Sequence, residues 1–315
     1  MSKELPTNFF SFTEIGGVGE MIYRAARFPA YATMDEETGE TDVIIPVFTP
    51  GHPPKAGNDY SITGQELLSS LCNLYKEINK PDYSANITEC VWAWCMDNIY
   101  PYNIDDVCET IETMDFSRDV DVFDRLQRET TFPVKQFVED VCKLGTVYEY
   151  YDALMKVKRD RNVAAGRELY YEGRICDSLP FLEFYRQYED DTEYLKHISE
   201  DYDSLMDKLI DMFPDMRMRL KRNKDTGKIE YGADVLSVFD ICWFAFARMV
   251  ADVAPPADTD PDYMYSSGSI LTCMACGRYF VRHSSRQRYC DNPNCQAERN
   301  KRKSRAYYLR KHSKN

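Results

Sequence analysis

Histidine is scarce in this chain of 315 residues: four in all, His52, His197, His283 and His312, none with a partner at a recognisable spacing. There is no HExxH, no GxSxG and no phosphate loop, which removes the zinc-protease, serine-hydrolase and P-loop nucleoside triphosphatase signatures. Gly16-Gly17-Val18-Gly19 lacks a preceding apolar strand and the lysine a phosphate loop needs. Long apolar runs are missing too. The most apolar stretch, 235–253, is interrupted by Asp240, Arg248 and Asp252, which makes it a poor membrane span. The first residues show no basic segment followed by an apolar run and a small-residue cleavage site, so no secretory signal is expected. Internal repeats and low-complexity tracts are also lacking. These absences point away from an enzyme and towards a binding protein.

What is present is a globular composition, 43% hydrophobic and 13% aromatic, with length for about two domains. Charge is unevenly distributed. Residues 266–315 carry twelve Lys and Arg against Asp291 and Glu298, a net of +10 that leaves −23 on the first 265 residues. A basic end on an acidic chain points to a polyanion partner for that end. The rival reading is docking of the basic end on an acidic surface, within the chain or on another subunit.

The cysteines divide in the same way. Cys72, Cys90, Cys95, Cys108, Cys142, Cys176 and Cys242 follow no paired rhythm and read as reduced core thiols of a cytoplasmic protein. Cys273, Cys276, Cys290 and Cys295 are different: they fall as C-x2-C, thirteen residues, then C-x4-C. A tight turn between paired cysteines brings both sulfurs within reach of one ion, and two pairs supply the four soft ligands of tetrahedral Zn²⁺. Four thiolates close the shell, so the spacing predicts one structural zinc rather than a catalytic one. Gly277 stands where such a turn needs positive φ, and Asp291-Asn292-Pro293-Asn294 is turn chemistry. His283 reads as a surface histidine.

Upstream, apolar runs at 27–33 and 42–48 flank Asp35-Glu-Glu-Thr-Gly39 and predict a β-hairpin; 216–221 and 228–231 around Asn223–Gly227 predict a second. Helices are expected at 89–100, at 104–114 behind Asn103, and from Pro133 as a first helical residue through Met155. Leu195, Ile198, Tyr202, Leu205, Leu209 and Met212 predict one core-facing helix, and 235–253 predicts the core helix of the body. Glu189-Asp190-Asp191 and Glu200-Asp201 read as solvated helix face rather than an acid/base site. The fold class expected is mainly α (α+β): a helical body over 1–255, a linker over 256–267 and a treble-clef-like four-cysteine zinc mini-domain over 268–315.

From Gln296 the tail has good helix formers and no breaker before Ser313. Arg299, Arg302, Lys303 and Arg310 share one side with Ala306, and Arg278, Arg282, Arg286 and Arg288 add charge from the loop between the cysteine pairs. A rigid metal turn feeding a basic helix is a way to present that helix to a nucleic-acid groove, DNA being the expected polymer. Tyr279, Phe280, Tyr289, Tyr307 and Tyr308 are stacking candidates, with packing the better reading for Phe280 and Tyr289.

The tail pattern Cys273-x2-Cys276-Gly-Arg-Tyr-Phe280, Arg288-Tyr-Cys290-x4-Cys295 and Arg299-Asn300-x-Arg302-Lys303 through Tyr308 and Arg310 resembles the C-terminal CGNR-type zinc finger of bacterial proteins. It is also similar to the tails of bacterial proteins with a helical body and a terminal four-cysteine module. Directly after the last cysteine, Gln296-Ala297-Glu298 stands where that pattern has Gly-Asn-Arg. The resemblance covers the chain from Cys273 onward and implies DNA binding and transcription regulation. The alternatives are a protein-interaction scaffold with a structural zinc module and, third, an enzyme with its site in the body.

Overall fold

The computed structural model describes residues 11–13, 20–25, 30–33, 43–46, 60–79, 87–98, 101–102, 131–167, 187–216, 218–222, 229–233, 237–252, 270–284 and 286–312. The expected helix at 104–114 and the expected linker at 256–267 lie outside them, as do Cys108 and Cys176. The described chain is mainly helical with short strands and divides into two compact units, Met1–Arg248 and Met249–Asn315.

The first unit opens with β1 (Ser11–Thr13), β2 (Glu20–Ala25), β3 (Ala30–Thr33), β4 (Val43–Pro46) and β5 (Tyr60–Thr63). β1, β2 and β5 form one antiparallel sheet. β3 and β4 form the first predicted hairpin, with Tyr31 opposite Ile45. Thr63 then starts helix α1 (Gly64–Ile78): its hydroxyl accepts from Glu66 N at 3.1 Å while the Glu66 carboxylate accepts from Thr63 N at 2.8 Å. This reciprocal cap satisfies two of the four amide groups that a helix start leaves open.

α2 (Ile87–Asp97) ends before Pro101 as expected. The central helix is α3 (Val134–Asp160), whose buried Phe137, Val141, Leu144, Tyr148 and Tyr151 follow the apolar stripe read from the sequence. Pro133 is its N-cap rather than its first helical residue, because Phe132–Pro133 (β6) is still paired in register with Ile44 and Val43 of β4. α1 and α2 pack on α3, as do α4 (Val163–Arg167), α5 (Asp191–Glu200) and α6 (Tyr202–Ile210).

The 195–212 rhythm therefore makes two helices, not one. The chain breaks at Asp201, yet Ile198, Leu205 and Leu209 all remain buried. The acidic run before it is a cap: Asp190 accepts from Thr192 N and Glu193 N, each at 2.9 Å.

β7 (Met218–Arg222) and β8 (Ile229–Ala233) form the second predicted hairpin. α7 (Val238–Asp252) supplies Phe239 against Phe137 at 5.4 Å and Phe246 against Tyr148 and Tyr151 at 5.2 and 5.3 Å. It packs against α3 with Val238, Phe239, Ile241, Cys242, Trp243, Ala245 and Phe246 buried, a core helix as expected. Cys72, Cys95 and Cys242 are buried free thiols as expected, and Cys90 is half-buried outside any disulfide. Cys142, half-buried on α3, is disulfide-bonded, which corrects its reading as a reduced thiol. Unpaired sequence spacing carries no information about bridges between distant segments. No helix among the described residues is long and apolar enough to cross a membrane.

The α1–α3 crossing depends on Gly145, where an added Cβ would meet the ring of Tyr75, itself buried. Gly145→Ala should lower unfolding free energy by about 1–3 kcal/mol through overpacking. Chemical denaturation followed by far-UV circular dichroism measures it, and an unchanged midpoint would contradict this packing.

Candidate metal centre

The second unit is built on β9 (Ile270–Thr272) and β10 (Tyr279–Val281), paired antiparallel with Thr272 opposite Tyr279. Between them lies the first cysteine pair. Cys273 N donates to Arg278 O at 2.8 Å and Gly277 N to Cys273 O at 2.9 Å, which folds the turn tightly. Gly277 has φ +72° with open space where a Cβ would be, so the backbone angle, not crowding, calls for glycine.

The second pair sits where a loop enters a helix. α8 (Pro293–His312) takes Pro293 as its first residue, a position that needs no amide donor. Asn292 caps it, accepting from Asn294 N at 2.9 Å, while its carbonyl accepts from Gln296 N at 3.0 Å. Cys295 lies in the first helical turn and is buried; Cys290 lies just before the cap and is half-buried. Met274 N donates to Arg288 O at 3.1 Å, which ties the two cysteine turns together.

All four sulfurs lie within 4.8 Å of one another, and Cys276 Sγ is 3.9 Å from Cys290 Sγ. A metal about 2.3 Å from each of four thiolates would set the sulfurs about 3.8 Å apart. The quartet has the spacing and the donor type to hold one metal ion. Around it, Cys273, Phe280 and Cys295 form a small core flanked by Leu271, Tyr289 and Cys290.

The thiols are graded. Burial pushes Cys273 up, but the amide groups of Cys290, Ala275 and Cys276, with the Cys276 side chain, bring it down to about 6; the Cys290 N–H lies 3.4 Å from its sulfur. Burial raises Cys290, and burial together with the three neighbouring sulfurs raises Cys295 well above the usual thiol range. The Cys273 thiolate is thus favoured without metal, whereas those of Cys290 and Cys295 are opposed by burial and by neighbouring sulfurs.

Seven of the eight cations assigned to nucleic acid lie at least partly open. Arg278, Arg286, Arg302, Lys303 and Arg310 are exposed, and Arg288 and Arg299 are half-buried. Arg282 is the correction. It is fully buried and its Nε donates to Ser284 O at 2.6 Å, so it braces the loop instead of facing a phosphate. It stands just beyond the end of β10, whose Tyr279 and Phe280 are buried as well.

Tyr279 and Phe280 are buried and Tyr289 half-buried, whereas Tyr307 and Tyr308 are 70% and 62% exposed. His283 is exposed, with Nε2 3.9 Å from Asp291 Oδ2. The sequence reading passed over Gln287 and Gln296. Gln287 accepts from His283 N at 2.9 Å and donates to Tyr289 O at 3.2 Å; Gln296 donates to Cys290 O at 2.8 Å. The one available signal is the position of Gln296 directly after a ligand cysteine.

No protein-family model matches the chain, and no curated protein or solved structure matches it either.

Metal binding must strip protons from the raised thiols. At pH 7 it should release at least two protons, from Cys290 and Cys295. Metal affinity should therefore fall by at least two log units per pH unit below neutrality, and more steeply below about pH 6, where Cys273 also holds its proton. Calorimetry in buffers of different ionisation enthalpy counts these protons; one or none would contradict the graded site.

Proposed function

We propose that the four cysteines hold one structural Zn²⁺ and that the clamped module presents α8 to a nucleic acid, duplex DNA being the preferred target. Four thiolates suit zinc and leave no open position for water, so the ion supplies rigidity and no chemistry. One observation carries the binding reading: the helix beyond the metal site is bare. Every residue from Asn300 to His312 is exposed, and the helix holds Arg299, Lys301, Arg302, Lys303, Arg305, Arg310 and Lys311 against Glu298 alone.

Such a helix gains little from its own contacts. Glu298 pairs with Arg302 at 2.9 Å, but Arg299 with Lys303 and Lys301 with Arg305 are like-charge neighbours one turn apart. A polyanion relieves that repulsion and gains released counterions. At about 1.5 Å per residue the helix is about 30 Å long, enough to lie along a major groove. Arg302, Lys303, Ala306 and Arg310 fall on the side of the helix that carries Cys295, so the metal fixes which face is presented. Exposed Tyr307 and Tyr308 can add contacts to sugars or bases. The tail's resemblance to CGNR fingers suits a regulatory role for such binding in a bacterium.

A second reading has its own support. The first 265 residues carry −23, so an acidic protein surface could take the same helix. The two readings separate by salt dependence and by polymer.

Fluorescence anisotropy of the zinc-loaded full-length protein on labelled duplex DNA, single-stranded DNA and structured RNA is the direct test. With about four to six phosphate contacts, log K on the duplex should fall with log salt at a slope of about −4 to −5. Cys290→Ser should abolish binding. Absence of binding to all three polymers at low salt would sink the nucleic-acid reading and favour protein docking.

A further inference from the structure

The loop between the cysteine pairs does more than connect them. With the start of α8 it encloses a cleft of about 280 Å³ whose lining includes His283, Arg286, Gln287, Arg288, Asp291 and Arg299. We infer that this cleft binds a phosphate group, carried either by a nucleic-acid backbone or by a small phosphorylated ligand. The first source rests on the nucleic-acid reading above; the cleft itself does not.

Charge and shape both favour phosphate. Three guanidinium groups line the cleft against one carboxylate, Asp291. Asp291 is already engaged: its Oδ1 accepts from Gln287 Nε2 at 3.2 Å and its Oδ2 lies 3.9 Å from His283 Nε2. A single carboxylate ligand is satisfied by one arginine fork, whereas the oxygens of a phosphate can use several. The volume is at the small end of ligand sites and suits a nucleotide-sized fragment.

The walls are also held in place. Arg299 is half-buried, and its Nη1 donates to Gln296 Oε1 at 3.0 Å, while Gln296 Nε2 donates to the carbonyl of Cys290 at 2.8 Å. One guanidinium is thus fixed through a single amide to the backbone of a metal-site cysteine. On the other side Gln287 spans the loop from His283 N to Tyr289 O. Such bracing lowers the ordering cost of binding a small anion. It also couples the cleft to the metal site, although none of the four cysteines lines it.

The test uses metal-loaded full-length protein with ¹⁵N-labelled arginine. Inorganic phosphate and then a 5′-mononucleotide are titrated at fixed ionic strength, with sodium acetate as the carboxylate comparison. Saturable shifts of the Arg286, Arg288 and Arg299 Nε–H signals with phosphate, and not with acetate, are expected. Arg299→Gln and the pair Arg286→Gln/Arg288→Gln should each weaken phosphate binding about tenfold, the worth of a lost charge-assisted hydrogen bond. Bound metal is measured in each variant to show that the module has folded, and a folded Arg299→Gln with unchanged phosphate affinity overturns the proposal.

Labelled duplex DNA separates the sources. Loss of DNA affinity in the cleft variants identifies the backbone as the source. Phosphate binding with DNA affinity unaffected, or with no DNA binding at all, identifies a small phosphorylated ligand and leaves the cleft standing. DNA binding while phosphate leaves the three signals unmoved, or moves them no more than acetate, overturns the cleft and spares the nucleic-acid reading. If neither ligand binds, both fall.

Discussion

Four sulfurs drawn within 4.8 Å of one another are the constraint on which the C-terminal unit depends. Without a cation the arrangement works against itself, because the Cys290 and Cys295 thiolates are opposed by burial and by neighbouring sulfurs. With a cation the same repulsion becomes four bonds. The unit's two strands have three residues each, and among its described residues the cluster around the sulfurs is Cys273, Phe280 and Cys295, with Ile270 and Tyr279 also buried. Two of the three residues of that cluster are themselves cysteines of the quartet, so the candidate metal site is part of the buried core. In units this small, metal binding free energy is folding free energy.

From that point the functional surfaces follow by short connections. Cys295 in the first turn of α8 fixes the direction and rotation of the helix. Gln296 carries the position of Cys290 outward to Arg299, and Gln287 holds the opposite wall of the arginine cleft. The body is held differently, by aromatic and aliphatic packing around α3. Its polar contacts, such as Tyr102 Oη donating to Asp140 Oδ2 at 2.6 Å, satisfy groups that packing partly buries. Among its described residues no three metal-type ligands converge, and the cysteine quartet is the group that does.

Local chemistry was legible in the sequence and long-range chemistry was not. Both hairpins, the α3 stripe, the positive φ at Gly277 and the four clustered cysteines could be read because each depends on residues a few positions apart or on a ligand rule. The break at Asp201 was missed because both helices bury the same stripe, so the periodicity runs on across it. The start of α3 was placed one residue early, at Pro133, because the pairing partner of Pro133, Val43, is distant in sequence. Arg282 looked like one more surface cation, since charge alone does not show which side chain of a loop folds inward onto its backbone. The bridge at Cys142 and the bracing glutamines had no pattern to announce them.

The central claim, one zinc ion held by Cys273, Cys276, Cys290 and Cys295, is tested most directly by X-ray absorption at the metal edge of the purified full-length protein, with metal content measured on the same sample. The account predicts one zinc per chain with four sulfur neighbours at about 2.3 Å and no nitrogen or oxygen in the first shell. Nitrogen or oxygen ligands, iron in place of zinc, or a folded module with no metal would contradict it.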